Sequence, residues 1–447
     1  MNERWSFRAL LVTAATACLL AAGQHPAHAE DDPGVPSGLQ HGIDSVVPAP
    51  ALPPGPPVDG LTPEQAALLR AVQSPPTGDP FFDARPAGLA ALNPGDILEQ
   101  RDVTATATLV VGVPIARATL LKYRSTAANG APSFGTATLV VPLTPWAAGD
   151  RPVLVDNQPI NSLGARCTPG YAMAHGPAFK NFATDSVPPT AAWGLNQGFA
   201  VLVTDHEGPN MAYAEPNVAA HVILDGIRAV RSTPGFGASR FALGGYSGGA
   251  IASHGAAMLL GEYAPELADA VAGAAMGGLV TDNRVIANRF DGNFASGVLL
   301  AVVLAYSREH PEILDRMNHL ATWVATSPLN AVCGQAIGFL GVVGIPLDVA
   351  ANVTDALDSA VAEEIFARTD LTDRTSRVPL YIYHGAHDLW IPFEGARELY
   401  QRQCARGVDA VFRSEPGEHV VALATGFPGA AEWLGARLRG EPAPTEC

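Results

Sequence analysis

Basic residues are scarce in this 447-residue chain. Lysine and arginine total 27 against 43 aspartate and glutamate residues, which gives a formal net charge of −16 at pH 7. No run of basic residues occurs. Because contact with a phosphate backbone needs Lys/Arg patches, this balance excludes nucleic acid as an expected partner.

Metal-ligand patterns and long apolar runs are also missing. The chain has no C-x-x-C pair and no His-rich cluster, so no metal and no cofactor is expected. Beyond residue 29, no stretch reaches the 18 or so uninterrupted apolar residues that indicate a membrane span, so no transmembrane segment is expected in the mature form. Hydrophobic residues still make up 48% of the chain, which suits a large buried core.

The amino terminus has the pattern of an export signal. Arg4 and Arg8 provide a basic start, an apolar stretch follows, and Ala27-His28-Ala29 is a small-x-small cleavage site. We therefore predict a signal peptide over residues 1–29 and a secreted, extracellular protein. Cys18 allows a lipoprotein alternative, which the apolar residues after it disfavour.

Residues 30–79 are rich in proline, glycine and small residues. Such a segment buries too little apolar surface to offset its chain entropy, so we predict a disordered linker. Within it, a short helix at Pro63–Val72 is possible.

Four cysteines follow the signal, and their even number in an exported protein predicts two disulfides in one of three pairings. They are Cys167, Cys333, Cys404 and Cys447.

The rest of the chain alternates apolar strand-like runs with helical patterns, which predicts an α/β fold with a mostly parallel sheet. The expected strands include Ala105–Val113, Gly198–Thr204 and Ala270–Gly278. Residues 282–373 instead look helical, and that block is too long for an ordinary connection. We therefore predict a core formed by residues 80–281 and 374–447, with 282–373 inserted as a helical cap or lid.

The most informative stretch is Gly245-Tyr-Ser-Gly-Gly249. An apolar run from Phe241 precedes it and a helical stretch of small residues follows, which is the strand–turn–helix context that a G-x-S-x-G pattern needs. The sharp turn strains the central serine and exposes its oxygen at the sheet edge. Ser247 is therefore the predicted nucleophile.

A serine nucleophile needs a base and an acid that orients the base. With such an elbow, the chain order is Ser, acid, His. Asp388 follows the strand predicted before His384, and His419 is the only histidine downstream of it. We predict His419 as the base and Asp388 as the acid, with Glu394 as the alternative acid.

An oxyanion hole needs two hydrogen-bond donors near the developing negative charge. The amide of Gly248 supplies one by the logic of the motif. The second is expected in the segment from Asp156 to Cys167, where a backbone amide, Asn161 and Ser162 all remain possible.

Several motifs together resemble the secretory lipase family. They are Asp205-His-Glu-Gly208, Ile223-Leu-Asp-Gly-Ile-Arg-Ala229, the elbow, Tyr263-Ala-Pro-Glu-Leu267, the Asp388 loop and Glu418-His419. The resemblance implies an α/β-hydrolase fold with a helical lid and hydrolysis of carboxylic or lipid esters by Ser247, His419 and Asp388. It implies Asn161 as the side-chain oxyanion donor, with Asp156 as the fallback. It also implies the disulfides Cys167–Cys333 and Cys404–Cys447.

The leading hypothesis is therefore a secreted lipase or esterase acting on a small-molecule or lipid ester. An acyltransferase would use the same catalytic residues with an alcohol as acceptor. A catalytically silent binding module on a hydrolase scaffold is the third possibility, which an intact Ser, acid and His in the expected order disfavours.

Overall fold

A computed structural model describes residues 38–177, 189–334, 336–337 and 344–447; the predicted signal peptide lies outside the described residues. The helices are α1 Gly38–Val46, α2 Pro63–Ala71, α3 Pro80–Asp83, α4 Thr104–Val111, α5 Pro169–His175, α6 Pro189–Asn196, α7 Pro216–Arg231, α8 Gly248–Tyr263, α9 Asn283–Phe290, α10 Ser296–Ser307, α11 His319–Ala325, α12 Ala360–Thr369, α13 Phe393–Ala405 and α14 His419–Leu438. The strands are β1 Ile97–Asp102, β2 Ile115–Thr126, β3 Pro132–Pro142, β4 Val153–Asn157, β5 Ala200–Thr204, β6 Phe241–Tyr246, β7 Val271–Gly277, β8 Leu380–Gly385 and β9 Ala410–Glu415. No described helix is long and apolar enough to cross a bilayer.

Within the described residues, the nine strands form one sheet in the order β1-β2-β3-β5-β4-β6-β7-β8-β9. Strands β1, β2, β3 and β5 pair antiparallel, whereas the pairs from β5 through β9 are parallel. Helices lie on both faces, as parallel strands require. The predicted α/β class is thus confirmed.

The sheet is buried on both faces because successive side chains along each strand point in opposite directions. Leu154 and Val155 of β4 are both fully buried, yet they belong to different apolar clusters. Val155 packs on the side of α7 and α8, represented by Ile223 and Ala256. Leu154 packs on the side of α6 and α14, represented by Leu195 and Leu434.

The chain between β7 and β8 adds no strand to the sheet in the part that the structure describes. It holds α9 to α12 and several 3₁₀ turns, among them Pro311–Arg316 and Pro328–Ala331. Among the described residues of this segment, Met317 and Ala351 form an isolated antiparallel bridge. We call residues 282–373 the cap block below.

One predicted strand is wrong. Residues 105–113 were expected to be extended, but Thr104–Val111 is helix α4. The side chain of Asp102 accepts a hydrogen bond from the amide of Thr104, and Gly112 closes the helix with φ 68°. The run buries Ala107, Val110 and Val111, so helical packing against the sheet overrides the β preference of its valines.

The short helix expected at Pro63–Val72 is present as α2, Pro63–Ala71. The rest of the predicted disordered linker is wrong for residues 38–79, because α1 also lies there and Val72 is fully buried. The segment docks on the cap block: the amide of His319 donates to Asp44 (2.8 Å), and the indole of Trp323 donates to the carbonyl of Pro48 (2.7 Å). Its low hydrophobicity is compensated by hydrogen bonds to a distant part of the chain, which composition does not reveal.

Candidate active site

Ser247 stands in the turn between β6 and α8 with φ 54° and ψ −120°, in the left-handed region that strains a non-glycine residue. The backbone crowds around it. A Cβ at Gly245 would lie 2.1 Å from the carbonyl oxygen of Gly249, and a Cβ at Gly249 would lie 1.9 Å from that of Asn157. Only glycine fits both positions, so the G-x-S-x-G spacing follows from the close approach of strand and helix.

A buried network of hydrogen bonds holds this turn in place. The Nδ2 of Asn157 donates to the Oγ of Ser253 (2.9 Å), which in turn donates to the carbonyl of Gly249 (2.9 Å). The hydroxyl of Thr204 donates to the Oδ1 of Asn157 (2.7 Å). The ends of β4 and β5 are thereby tied to the first turn of α8, which fixes the orientation of the nucleophile.

Ser247, His419 and Asp388 meet at the carboxyl end of the sheet. The Nδ1 of His419 is 2.6 Å from the Oδ2 of Asp388, and its Nε2 is 3.0 Å from the Oγ of Ser247. A carboxylate only accepts, so Nδ1 carries the proton and Nε2 is free to accept the serine proton. Glu394 lies in the first turn of α13, and the imidazole pairs with Asp388 instead.

Asp388 accepts three hydrogen bonds, and a fourth N–H group lies close to it. Its Oδ1 accepts from the amides of Trp390 and Ile391, both at 2.9 Å. Its Oδ2 faces His419 and also the Nε2 of His384, at 3.3 Å. Burial alone would raise the pKa of this carboxyl, but the nearby N–H groups of His384 and His419 outweigh it and hold the pKa well below its usual range. The carboxylate therefore stays ionised at neutral pH.

Asn161 lies directly beside Gly248. A Cβ on Gly248 would be 1.9 Å from the Oδ1 of Asn161, and both residues line one small cavity. Asn161 has φ 49°, and its Oδ1 is buried without a hydrogen-bond partner in the described ranges. Gly248 begins α8, where its amide has no intrahelical acceptor. The two groups are therefore side by side, next to the serine.

The two rival positions in this loop are engaged elsewhere. Asp156 is buried at the end of β4, where its Oδ2 accepts from the Nε2 of Gln158 (3.3 Å) and burial raises its pKa to about 7. Ser162 donates its amide to Glu207 (3.2 Å) and its hydroxyl to the carbonyl of Ile160 (2.6 Å). The structure thus brings Asn161, rather than Asp156 or Ser162, to Gly248.

Sequence reasoning missed Arg308, which is 4% exposed at the end of α10. Its guanidinium donates to five backbone carbonyls from four segments, and burial lowers its pKa to about 10. The acceptors are those of Val72, Leu163, Asn210, Met211 and Asn330. Leu163 is two residues past Asn161, so Arg308 joins the loop beside the nucleophile to the cap block and the amino-terminal segment. An arginine in the polar stretch after an apolar helix carries no sequence signal for this role.

Tyr246 is a second residue that sequence reasoning did not single out. Its hydroxyl donates to the carbonyl of His419 (2.5 Å), and the two rings are 5.1 Å apart. Its position directly before Ser247 is the signal that could have drawn attention to it. The base is therefore anchored to the residue that precedes the nucleophile.

Two disulfides link segments that are distant in the sequence. Cys167 pairs with Cys333 and Cys404 with Cys447, the pairings that the resemblance implied. The first bond ties the loop that contains Asn161 to the cap block. Across the described part of the chain, no cluster of His, Cys, Asp or Glu could hold a metal ion.

The sheet order, the elbow and the flanking helices define an α/β-hydrolase. Candida antarctica lipase A has the same fold: its crystal structure superposes with a TM-score of 0.75 at 24% identity, covering 83% of this chain and 87% of that one. The secretory lipase profile matches residues 182–446, and the chain belongs to that family.

Curated relatives agree with this assignment. Lipase 10 of Candida albicans is 29% identical over 400 residues, covering 84% of this chain and 83% of the relative. The trichothecene C-3 esterase of Fusarium sporotrichioides is 29% identical over 382 residues, covering 80% and 83%. The "Probable inactive lipase MT1628" of Mycobacterium tuberculosis is 29% identical over 387 residues, covering 82% and 83%. The protein is thus an ester hydrolase of the lipase and esterase type.

Proposed function

We propose that this protein is a secreted serine hydrolase that cleaves lipid-like carboxylic esters through an acyl-enzyme. The observation that carries the proposal is the continuous hydrogen-bonded row from Asp388 through His419 to Ser247, at 2.6 and 3.0 Å. Membership of the secretory lipase family supports the ester substrate and the extracellular location.

The reaction follows from the positions of these groups. The Oγ of Ser247 attacks the ester carbonyl while the Nε2 of His419 takes its proton. The negative charge on the former carbonyl oxygen is stabilised by the Gly248 amide and by Asn161, whose side-chain amide must present its NH₂ group. His419 then returns the proton to the leaving alcohol. A water molecule, deprotonated by His419, attacks the acyl-enzyme and releases the acid and free Ser247.

The ionised Asp388 assists the proton transfer from Ser247 to His419. It fixes the tautomer of His419 and stabilises the imidazolium that forms as the proton moves. Asp388→Asn should therefore lower kcat by about 10³–10⁴-fold, as expected when an orienting carboxylate is replaced by its amide. Near-normal activity in this variant would transfer the role to Glu394.

The nucleophile is tested by labelling and hydrolysis together. The purified protein is treated with a fluorophosphonate ester and assayed on short-chain and long-chain p-nitrophenyl esters. Wild type and Ser414→Ala, a control at an exposed position, should label and hydrolyse, whereas Ser247→Ala should do neither. Equal hydrolysis by Ser247→Ala would refute the site, and silence of the wild type would favour the binding module.

We also propose that residues 282–373 act as a cap over the site. This is supported by contacts at the acid loop: Arg289 donates to the carbonyl of Leu389 (3.0 Å), and Phe294 packs on Trp390 at 5.0 Å.

Hydrolysis and acyl transfer share the first half of the reaction and differ in whether water or an alcohol attacks the acyl-enzyme. Analysis of the products formed with a supplied alcohol separates the two.

Export through a signal peptide predicts that the secreted protein begins at Glu30, which amino-terminal sequencing checks.

A further inference from the structure

His384 lies next to Asp388 and has no part in the reaction steps described above. It is fully buried near the end of β8, and its ring packs edge-on against Phe393 with centroids 6.0 Å apart. Its Nε2 is 3.1 Å from the carbonyl oxygen of Ile391 and 3.3 Å from the Oδ2 of Asp388. Both neighbours of Nε2 are oxygens.

These contacts fix which nitrogen carries the hydrogen. A carbonyl and a carboxylate can only accept, so Nε2 must be the donor. The Nδ1 of His384 is buried and has no partner within the part of the chain that the structure describes. A hydrogen on Nδ1 would therefore lack an acceptor. The ring therefore carries a hydrogen on Nε2, which donates to the carbonyl of Ile391 and lies 3.3 Å from the Oδ2 of Asp388.

The atom that His384 contacts is the one that matters for catalysis. The Oδ2 of Asp388 accepts from His419, whereas its Oδ1 is held by two backbone amides. Those amides restrain one oxygen but leave the carboxylate plane free to tilt about it. A second donor on Oδ2 restrains that tilt and keeps Oδ2 aligned with His419. Misalignment of a positioned catalytic group by even an ångström lowers the rate strongly.

We infer that His384 is a positioning residue for the acid, a second histidine beside the same carboxylate oxygen that His419 contacts. This rests on the proposed function. It predicts that the side chain acts on kcat and not on KM, because it touches neither the serine nor the ester. It also predicts that a side chain with a donor near the Nε2 position can replace the imidazole.

The test compares His384→Phe, which keeps a ring but loses the donor, with His384→Gln, whose Nε2 can reach a similar place. Hydrolysis of a p-nitrophenyl ester should show kcat about tenfold or more lower in His384→Phe, with KM within about twofold, whereas His384→Gln should keep at least about a third of wild-type kcat. His387→Gln is the matched control, since His387 is exposed on the same loop. Wild-type kcat in His384→Phe, a change confined to KM, or equal losses in both variants would overturn the inference.

A measurement on wild type covers the case in which His384→Phe does not fold. In protein labelled with ¹⁵N-histidine, the His384 signals are those that disappear in His384→Gln. They should report a protonated Nε2 and an unprotonated Nδ1; the reverse tautomer would overturn the inference. If Ser247→Ala retains activity, the proposed function fails. If Ser247→Ala is inactive while His384→Phe matches wild type, only the role of His384 fails.

Discussion

The buried carboxyl of Asp156 should make the stability of this protein depend on pH in an unusual direction. Burial raises its pKa from 3.8 to about 7, because the charged form loses solvent and Gln158 supplies a single hydrogen bond. A carboxyl whose pKa is higher in the folded chain favours folding while protonated, and that contribution is lost as pH rises from about 4 to about 7. Compared with a group that stays uncharged, Asp156 lowers the free energy of unfolding by about 4 kcal/mol at pH 8 and by about 2 kcal/mol at pH 5.

Asparagine has the same shape without the charge, so Asp156→Asn should increase the free energy of unfolding more at pH 8 than at pH 5, by about 2 to 3 kcal/mol. Urea unfolding with the disulfides intact measures this difference. Asp269→Asn, at an exposed aspartate, should show no such difference. An equal gain at both pH values would refute the reasoning. Asp156→Asn should also keep its esterase activity, and a 10²-fold loss would mean that Asp156, not Asn161, serves the oxyanion.

Asn161→Ala should lower kcat by about 10²–10³-fold while fluorescence-monitored unfolding stays near wild type, as expected for loss of one oxyanion donor; an unchanged kcat would exclude the role. Gly245→Ala places a methyl group 2.1 Å from a backbone oxygen, so it should abolish folding or fluorophosphonate labelling, whereas Gly42→Ala, with nothing within 4 Å, should do neither. Replacing both Cys404 and Cys447 with serine opens a loop of 43 residues and should destabilise the fold by about 4 kcal/mol without changing kcat at 25 °C; equal thermal unfolding midpoints would contradict this.

Local rules and chain order predicted much of the fold and the residues of the site. The elbow at Ser247 is specified by glycines within two residues of it, and His419 was the only histidine after Asp388. The first inference uses a short-range pattern that backbone sterics impose, whereas the second uses the order of the catalytic residues along the chain. The structure brings these three side chains within hydrogen-bonding distance.

What the sequence did not reveal depends on contacts between distant segments. The run at 105–113 has strand-like composition, but it forms a helix whose buried face packs in the same apolar cluster as Leu120 and Met173. His384 stands in a strand whose alternation predicts only burial, and its contact with Asp388 appears once the loop folds back. The role of Arg308 requires knowledge of five carbonyls from four segments that lie far apart in the chain.

The docking of the amino-terminal segment has a consequence for the order in which the chain can fold. Val72 and Arg308 are 236 positions apart, and His319 bonds the carbonyl of Val47 across 272 positions. A chain that emerges amino terminus first must expose residues 38–79 long before their partners arrive. Contacts this distant in sequence form late because loop closure precedes them. The loop that contains Asn161 shares Arg308 with this segment, so the oxyanion site should reach its final geometry only in the last stage of folding.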